Sequence, residues 1–235
     1  MHSLIFTVDL DWACEPAIEE TINFLHENNI KPTIFITHSS SIVEKNIDKI
    51  DIGLHPYFGS DSSHGSTIQD VVKHVMNLPH NLAAFRCHRF ASCNASHQAM
   101  ADAGMLISSN VCTDLEIISP FKNRFGLLEV PIFLEDGGYL WCKHPLEMTQ
   151  KLRNAVLRPG RKVIIIHPMH FSLNTPHFNY MYDIKNSVNR SEWKNMSRET
   201  LDKYRWKGRG IRDLLVDLVQ IEHKSSSLRT LITSC

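Results

Sequence analysis

Neither sign of charge predominates in this sequence: Lys plus Arg and Asp plus Glu each number 25 in 235 residues. With no net field and no basic run of the kind that tracks a phosphate backbone, nucleic acid is not an expected partner. Long apolar runs are also lacking. No segment reaches membrane-spanning length, and the opening "MHSLIFTVDLDW" has no basic flank and only a short apolar stretch that Asp9 interrupts. It therefore reads as neither a span nor a secretory leader, and the expected location is the cytoplasm. The six cysteines, Cys14, Cys87, Cys93, Cys112, Cys142 and Cys235, contain no C-x-x-C pair. In a cytosolic chain that scatter reads as reduced, structural thiols, not as disulfides or a zinc knuckle. No internal repeat of solenoid period occurs.

The composition, 43% hydrophobic and 21% charged, is that of an ordinary globular protein. The length suits one domain over 1–235, since a single α/β barrel needs about 250 residues. Short, nearly continuous apolar runs recur: "LIFTVDL" (4–10), "PTIFIT" (32–37), "IDIGLH" (50–55), "LAAFRC" (82–87), "MLISSN" (105–110), "LLEVPIF" (127–133) and "KVIIIHP" (162–168). Runs of that length suit strands buried on both faces of a parallel sheet. Helix-period segments lie between them. "PAIEETINFLHENN" aligns Ile18, Ile22 and Leu25, and "STIQDVVKHVMN" carries a stripe with Ser66 and Gln69 placed as a capping box. "NASHQAMADAG" has Asn94 as its expected cap, and "PLEMTQKLRNAVL" and "GIRDLLVDLVQI" supply later helices. Strand then helix, repeated about seven times, predicts an α/β fold with a parallel sheet, closed as a barrel. Residues 171–197 break the rhythm and read as a long excursion, either packed over the barrel or lining a sugar-sized site with Phe178, Tyr180, Tyr182 and Trp193.

Reactive side chains gather at the carboxyl ends of these runs. Asp9 and Asp11 end the first, His55 the third, Arg86 the fourth and His167 the seventh, and Asp136 follows the sixth. In a parallel α/β barrel those ends form one face, where active sites lie. If the first strand continues through both aspartates, their carboxylates point the same way and repel unless a cation lies between them. Asp with two His is a ligand set that leaves positions open for water and substrate. In "GLHPYFGSDSSHG", Pro56 and Gly59 argue against a helix, so a folded-back loop could bring His55 and His64 to one ion. The plainer readings stand beside this one: a strand-end Asp often caps the next helix, and a loop His is usually solvated.

The ordered set "FTVDLDW", "IGLHPYFGSDSSHG", "FRCHRF", "VPIFLED", "IIIHPMHFSLNT" and "GRGIRDLL" resembles the polysaccharide deacetylase (NodB-homology, carbohydrate esterase family 4) superfamily, and most closely its WbmS-like branch. The resemblance implies a distorted parallel (β/α)7 TIM-like barrel. It implies a base at Asp9 and a metal ligand at Asp11, with the reverse assignment also open because Leu10 separates them. It implies metal ligands at His55 and His64, here nine residues apart where the family spacing is four. Arg86 would orient the base, Asp136 would be the fourth motif's acid and His167 the general acid. His88 stands where the family usually has proline, and Tyr57, His88 and His170 are expected substrate contacts, with a structural role also open for His170. The implied cofactor is one divalent ion, zinc by ligand set, with Co, Mn, Fe or Ni able to take its place. The implied activity is removal of an N-acyl group, typically acetyl, from an amino sugar in surface polysaccharide or O-antigen synthesis, the sugar being nucleotide-linked or lipid-linked. Two rivals remain: an inactive sugar-binding protein on the same barrel, and a metal-independent glycoside hydrolase using paired carboxylates such as Asp9 and Glu135.

Overall fold

In the computed structural model, which describes residues 2–221 and 224–232, the first apolar run becomes β1 (His2–Asp9) and the next two become β2 (Thr33–Ile36) and β3 (Asp51–Leu54). The runs around Phe85 and Ile107 form only short strands, β4 (Ala84–Phe85) and β5 (Ile107–Ser108). A small hairpin, β6 (Phe121–Lys122) and β7 (Leu128–Glu129), precedes β8 (Ile132–Glu135), β9 (Gly160–Ile166) and β10 (Lys224–Ser225). The sheet runs β6-β7-β5-β4-β3-β2-β1-β9-β8, with β10 beside the start of β1. Only β6 with β7 is antiparallel among these pairs.

The sheet curls, so that a parallel bridge from Cys112 to Ile132 joins the chain after β5 to β8. The fold is thus α/β with a curled sheet, as expected, but the sheet is mixed and not wholly parallel, because β6 runs against β7. A count of seven strands is not reproduced. The run 127–133 splits at Pro131, which lacks an N–H and restricts Val130, so β7 pairs with β5 while β8 pairs with β9.

The helices follow the sequence closely: α1 (Glu15–Glu27), α2 (Ser41–Lys45), α3 (Ile68–Met76), α4 (Asn94–Asp102), α5 (Asp136–Trp141) and α6 (Gln150–Leu157). The capping box of α3 is one residue later than expected, on Thr67 and Asp70, because the Asp70 carboxylate reaches back to the Thr67 N–H at 3.2 Å. Cys93, not Asn94, caps α4. After α7 (Pro168–Leu173), the irregular stretch folds into α8 (Phe178–Ser187) and α9 (Arg190–Lys194), followed by α10 (Arg198–Tyr204) and α11 (Ile211–Val219). Extended Val188 and the Asn189 capping box separate α8 from α9, and each helix buries a single apolar residue, Ile184 or Trp193, so neither carries an apolar stripe. Five of the cysteines are free thiols, and Cys235 lies outside the described residues.

Strand alternation decides what faces the curl. Leu4, Phe6 and Val8 pack outward with the helices, whereas Ile5 joins Phe35, Ala84, Val163 and Ile165 inside. Thr7 and Asp9 continue the inward series of β1. Gly53 belongs to the inward series of β3, and a Cβ there would lie 2.9 Å from the Phe35 ring and 2.8 Å from the Ala84 carbonyl oxygen. Gly53→Ala should therefore lower stability by about 1–3 kcal/mol through overpacking, read as a lower urea midpoint at unchanged m-value. A midpoint equal to that of the unsubstituted protein would show that the inner layer has room.

Candidate active site

Arg86 directly follows β4, and alternation turns it inward with Ala84. The side chain is fully buried. Its Nη1 donates to Asp9 Oδ1 at 2.6 Å and to Thr7 Oγ1 at 2.9 Å, while Nε and Nη2 donate to the backbone oxygen and hydroxyl of Ser109 at 3.1 and 2.9 Å. The guanidinium carbon sits 4.4 Å from the Phe35 ring centre. One oxygen of Asp9 is thereby fixed. The other, Oδ2, faces His55 Nε2 at 3.9 Å.

The strand does not continue through both aspartates. It ends at Asp9, and Asp11 and Trp12 take left-handed backbone conformations with φ of 47° and 54°. Asp11 reaches the site through this turn and not by alternation. Its Oδ1 lies 3.0 Å from His55 Nε2 and 2.8 Å from His88 Nδ1, and its Oδ2 lies 3.6 Å from His167 Nε2. Burial by itself raises the pKa of Asp11. The charge of His167 and the hydrogen bonds from His55 and His88 outweigh it and hold the carboxyl well below its ordinary value.

Asp11, His55 and His88 each offer one donor atom, all within 4.8 Å of one another. One carboxylate and two imidazoles are a donor set that suits a divalent ion. His55 Nδ1 is buried with no hydrogen-bond partner among the described residues, so the ring's polar contacts lie on its Nε2 side, at Asp11 and Asp9. The residues present therefore fit a metal.

His64, expected as the second histidine ligand, is not in this group. Its Nδ1 accepts from the Tyr57 N–H at 3.2 Å and its Nε2 donates to the Thr37 carbonyl at 2.9 Å. Both nitrogens are committed to backbone, as in a neutral imidazole, and burial pushes its pKa down to about 4. The loop folds back as anticipated, but it delivers a ring that packs 5.3 Å from Trp12. His88, expected as a substrate contact, occupies the place foreseen for His64.

His167 follows β9 and Asp136 opens α5. His167 Nδ1 lies 2.5 Å from Asp136 Oδ1, and its backbone N–H donates to Asp136 Oδ2 at 2.7 Å. Burial alone would lower the pKa of His167. Asp136 and Asp11, on opposite sides of the ring, outweigh it and raise the pKa well above the usual imidazole value. Glu135 lies beside this pair, with both oxygens accepting from the Gly137 and Gly138 N–H groups as the cap of α5. Burial pushes its carboxyl up to about 7. A capping role for both oxygens weighs against Glu135 as half of a glycosidase pair.

Asp9, Asp11, His55, His88, Glu135 and His167 line one cavity of about 730 Å³. Tyr57 lines it too, its ring 4.8 Å from His88 and its hydroxyl bonded to Asp61 and to Arg89. His170 packs 5.9 Å from His167, and its Nδ1 is held by Thr175 Oγ1 at 3.1 Å. Burial pushes the pKa of His170 down to about 4. Phe178, Tyr182 and Trp193 line the cavity, whereas the Tyr180 hydroxyl donates to the Tyr204 carbonyl. Sequence reasoning overlooked Trp12, Arg89, Trp141, Lys185, Arg190 and Lys194, all at the cavity wall. Trp12 and Arg89 lay within recognised motifs, but the others come from short helices with no motif of their own.

A family model described as WbmS-like, polysaccharide deacetylase, matches residues 6–185. Among solved structures, the Bordetella bronchiseptica protein WbmS, described as a polysaccharide deacetylase involved in O-antigen biosynthesis, superposes with a TM-score of 0.79 at 21% identity. The match covers 92% of this chain and 89% of that one. A Mycobacterium smegmatis protein described as a polysaccharide deacetylase gives a TM-score of 0.50 at 14% identity, covering 99% and 89% of the two chains. At these identities both establish likeness of fold alone. No curated protein matches the chain.

The geometry separates two histidines by measurement. Zinc or cobalt affinity should fall by at least about 100-fold in His88→Ala and stay within about tenfold in His64→Ala, followed by metal titration of chelator-stripped protein. The reverse order would return His64 to the ligand set.

Proposed function

Since the chain belongs to the WbmS-like polysaccharide deacetylase family, we propose that it is a metal-dependent N-deacylase of an amino sugar, acting in the synthesis of a surface polysaccharide such as O-antigen. The convergence of Asp11, His55 and His88 beside the Asp9–Arg86 and His167–Asp136 pairs is the observation that carries this reading. The proposal takes the chain as one catalytic domain over 1–235, working in the cytoplasm on a nucleotide-linked or lipid-linked sugar. Among the described residues, no helix is long and apolar enough to cross a membrane.

Asp11, His55 and His88 would hold the ion. A divalent cation there supplies a Lewis acid that polarises the amide carbonyl and lowers the pKa of water. Asp9 is the base: Arg86 fixes Oδ1, so Oδ2 is the oxygen left to take a proton from the attacking water. An amine leaves poorly unless protonated. His167 Nε2, on the cavity side of a ring whose Nδ1 is tied to Asp136, is placed to give that proton. Asp136 stabilises the imidazolium and sets the ring's orientation, while Tyr57 and Trp12 hold His88 by edge contacts at 4.8 and 5.1 Å.

His167→Gln should lower acetate release from an N-acetylated sugar substrate by about 10²- to 10⁴-fold, with zinc or cobalt content unchanged. Asp136→Asn should lose turnover in the same direction. Acid release by the unsubstituted protein is the first requirement, and binding of N-acetylated sugar with no release in the metal-loaded protein would favour an inactive sugar-binding protein instead. Full activity in His167→Gln would remove the proton donor from this account.

A further inference from the structure

The cavity wall carries both signs of charge. Asp9, Asp11, Asp61 and Glu135 line it, and so do Arg89, Lys185, Arg190 and Lys194. None of these four cations forms an ion pair among the described residues. Arg89 donates to the Tyr57 hydroxyl at 3.2 Å, and the Lys185 ammonium lies 4.8 Å from the Trp193 ring centre. Lys185 feels the attraction of Asp11 as well as the repulsion of Arg89, and Arg190 and Lys194 repel each other. The Asp61 carboxylate already accepts from Tyr57 while sharing the field of Arg89.

Grouping like charges around a cleft is unfavourable in the free protein and favourable once an anion enters. We propose that the part of the cavity wall bearing these four cations is a phosphate-binding subsite and that the substrate is an amino sugar carrying a phosphate or diphosphate ester, not an uncharged glycan. This rests on the deacylase reading and names the substrate class for that same cavity. Four cations exceed what one sugar carboxylate needs, whereas a phosphate group carries about −1.5 to −2 and suits guanidinium forks. The same wall carries exposed aromatics: Trp141 and Tyr182 are 67% and 63% exposed, and Trp141 meets Phe178 edge-on at 4.9 Å. Such faces would stack on a nucleoside base or cover a lipid chain, the two sources of a glycosyl diphosphate. The cavity, about 730 Å³, is in the size range of whole small-molecule ligands.

The test is calorimetric titration of the metal-stripped full chain, and of its Asp11→Ala variant, with inorganic pyrophosphate, uridine diphosphate and a polyprenyl phosphate in micelles. At least one probe is expected to bind both proteins below about 1 mM, and Lys185→Gln or Arg190→Gln, both at exposed positions, should weaken it at least about tenfold. Tighter binding of uridine diphosphate than of pyrophosphate would identify a nucleotide-linked substrate, and preference for the polyprenyl phosphate a lipid-linked one. No binding of any probe up to about 10 mM, or binding indifferent to both substitutions, would overturn the subsite. Acetate release from an uncharged N-acetylated oligosaccharide without phosphate binding would sink the subsite and leave the deacylase standing. Lys185-dependent phosphate binding with no acyl release from any glycosyl phosphate would do the opposite.

Discussion

A fully buried guanidinium stands at the centre of this structure. Arg86 lies inside the curl of the sheet, and among the described residues its one carboxylate partner is Asp9 at the end of β1. Removing one member of such a pair typically costs about 3–5 kcal/mol, because the other charge stays buried without compensation. Everything around Arg86 meets that demand. Thr7 and Ser109 accept three more hydrogen bonds from it, Phe35 closes one face, and Gly53 leaves room for the Phe35 ring. The same contacts tie β1, β2 and β4 to the chain after β5. The floor of the cavity and the top of the core are therefore a single set of interactions.

On that floor, charge is arranged so that each reactive group has a different environment. Asp9 is held by a cation, Asp11 by three histidines, and His167 by carboxylates on either side. On the proposed reading, these are the base, the metal ligand and the acid of one hydrolysis. The order follows from sheet topology: β9 and β8 lie on one side of β1, β2, β3 and β4 on the other. Acid and metal-binding groups thus approach Asp11 from opposite flanks of the same strand.

Much of this arrangement was legible in the sequence. Apolar runs placed Asp9, His55, Arg86 and His167 at strand ends, and alternation alone sends them inward. Asp11 was legible for the wrong physical reason, since a left-handed turn brings it in where a continued strand was expected. His64 and His88 show what spacing cannot supply. Both lie in loops after neighbouring strands, and only folding reveals that the nitrogens of His64 are spent on Tyr57 and Thr37 while His88 turns to Asp11. The cationic wall was illegible for a different cause: α8 and α9 each bury a single apolar residue, Ile184 and Trp193, so neither shows a stripe, and the overall charge balance hides local clustering.

The most direct test of this arrangement is anomalous diffraction from crystals of the cobalt- or zinc-loaded protein. The account requires one strong peak bonded to Asp11, His55 and His88, with His64 still hydrogen-bonded to the Tyr57 and Thr37 backbone. A peak bonded to His64 in place of His88, or no peak at Asp11 in crystals soaked with metal, would contradict it.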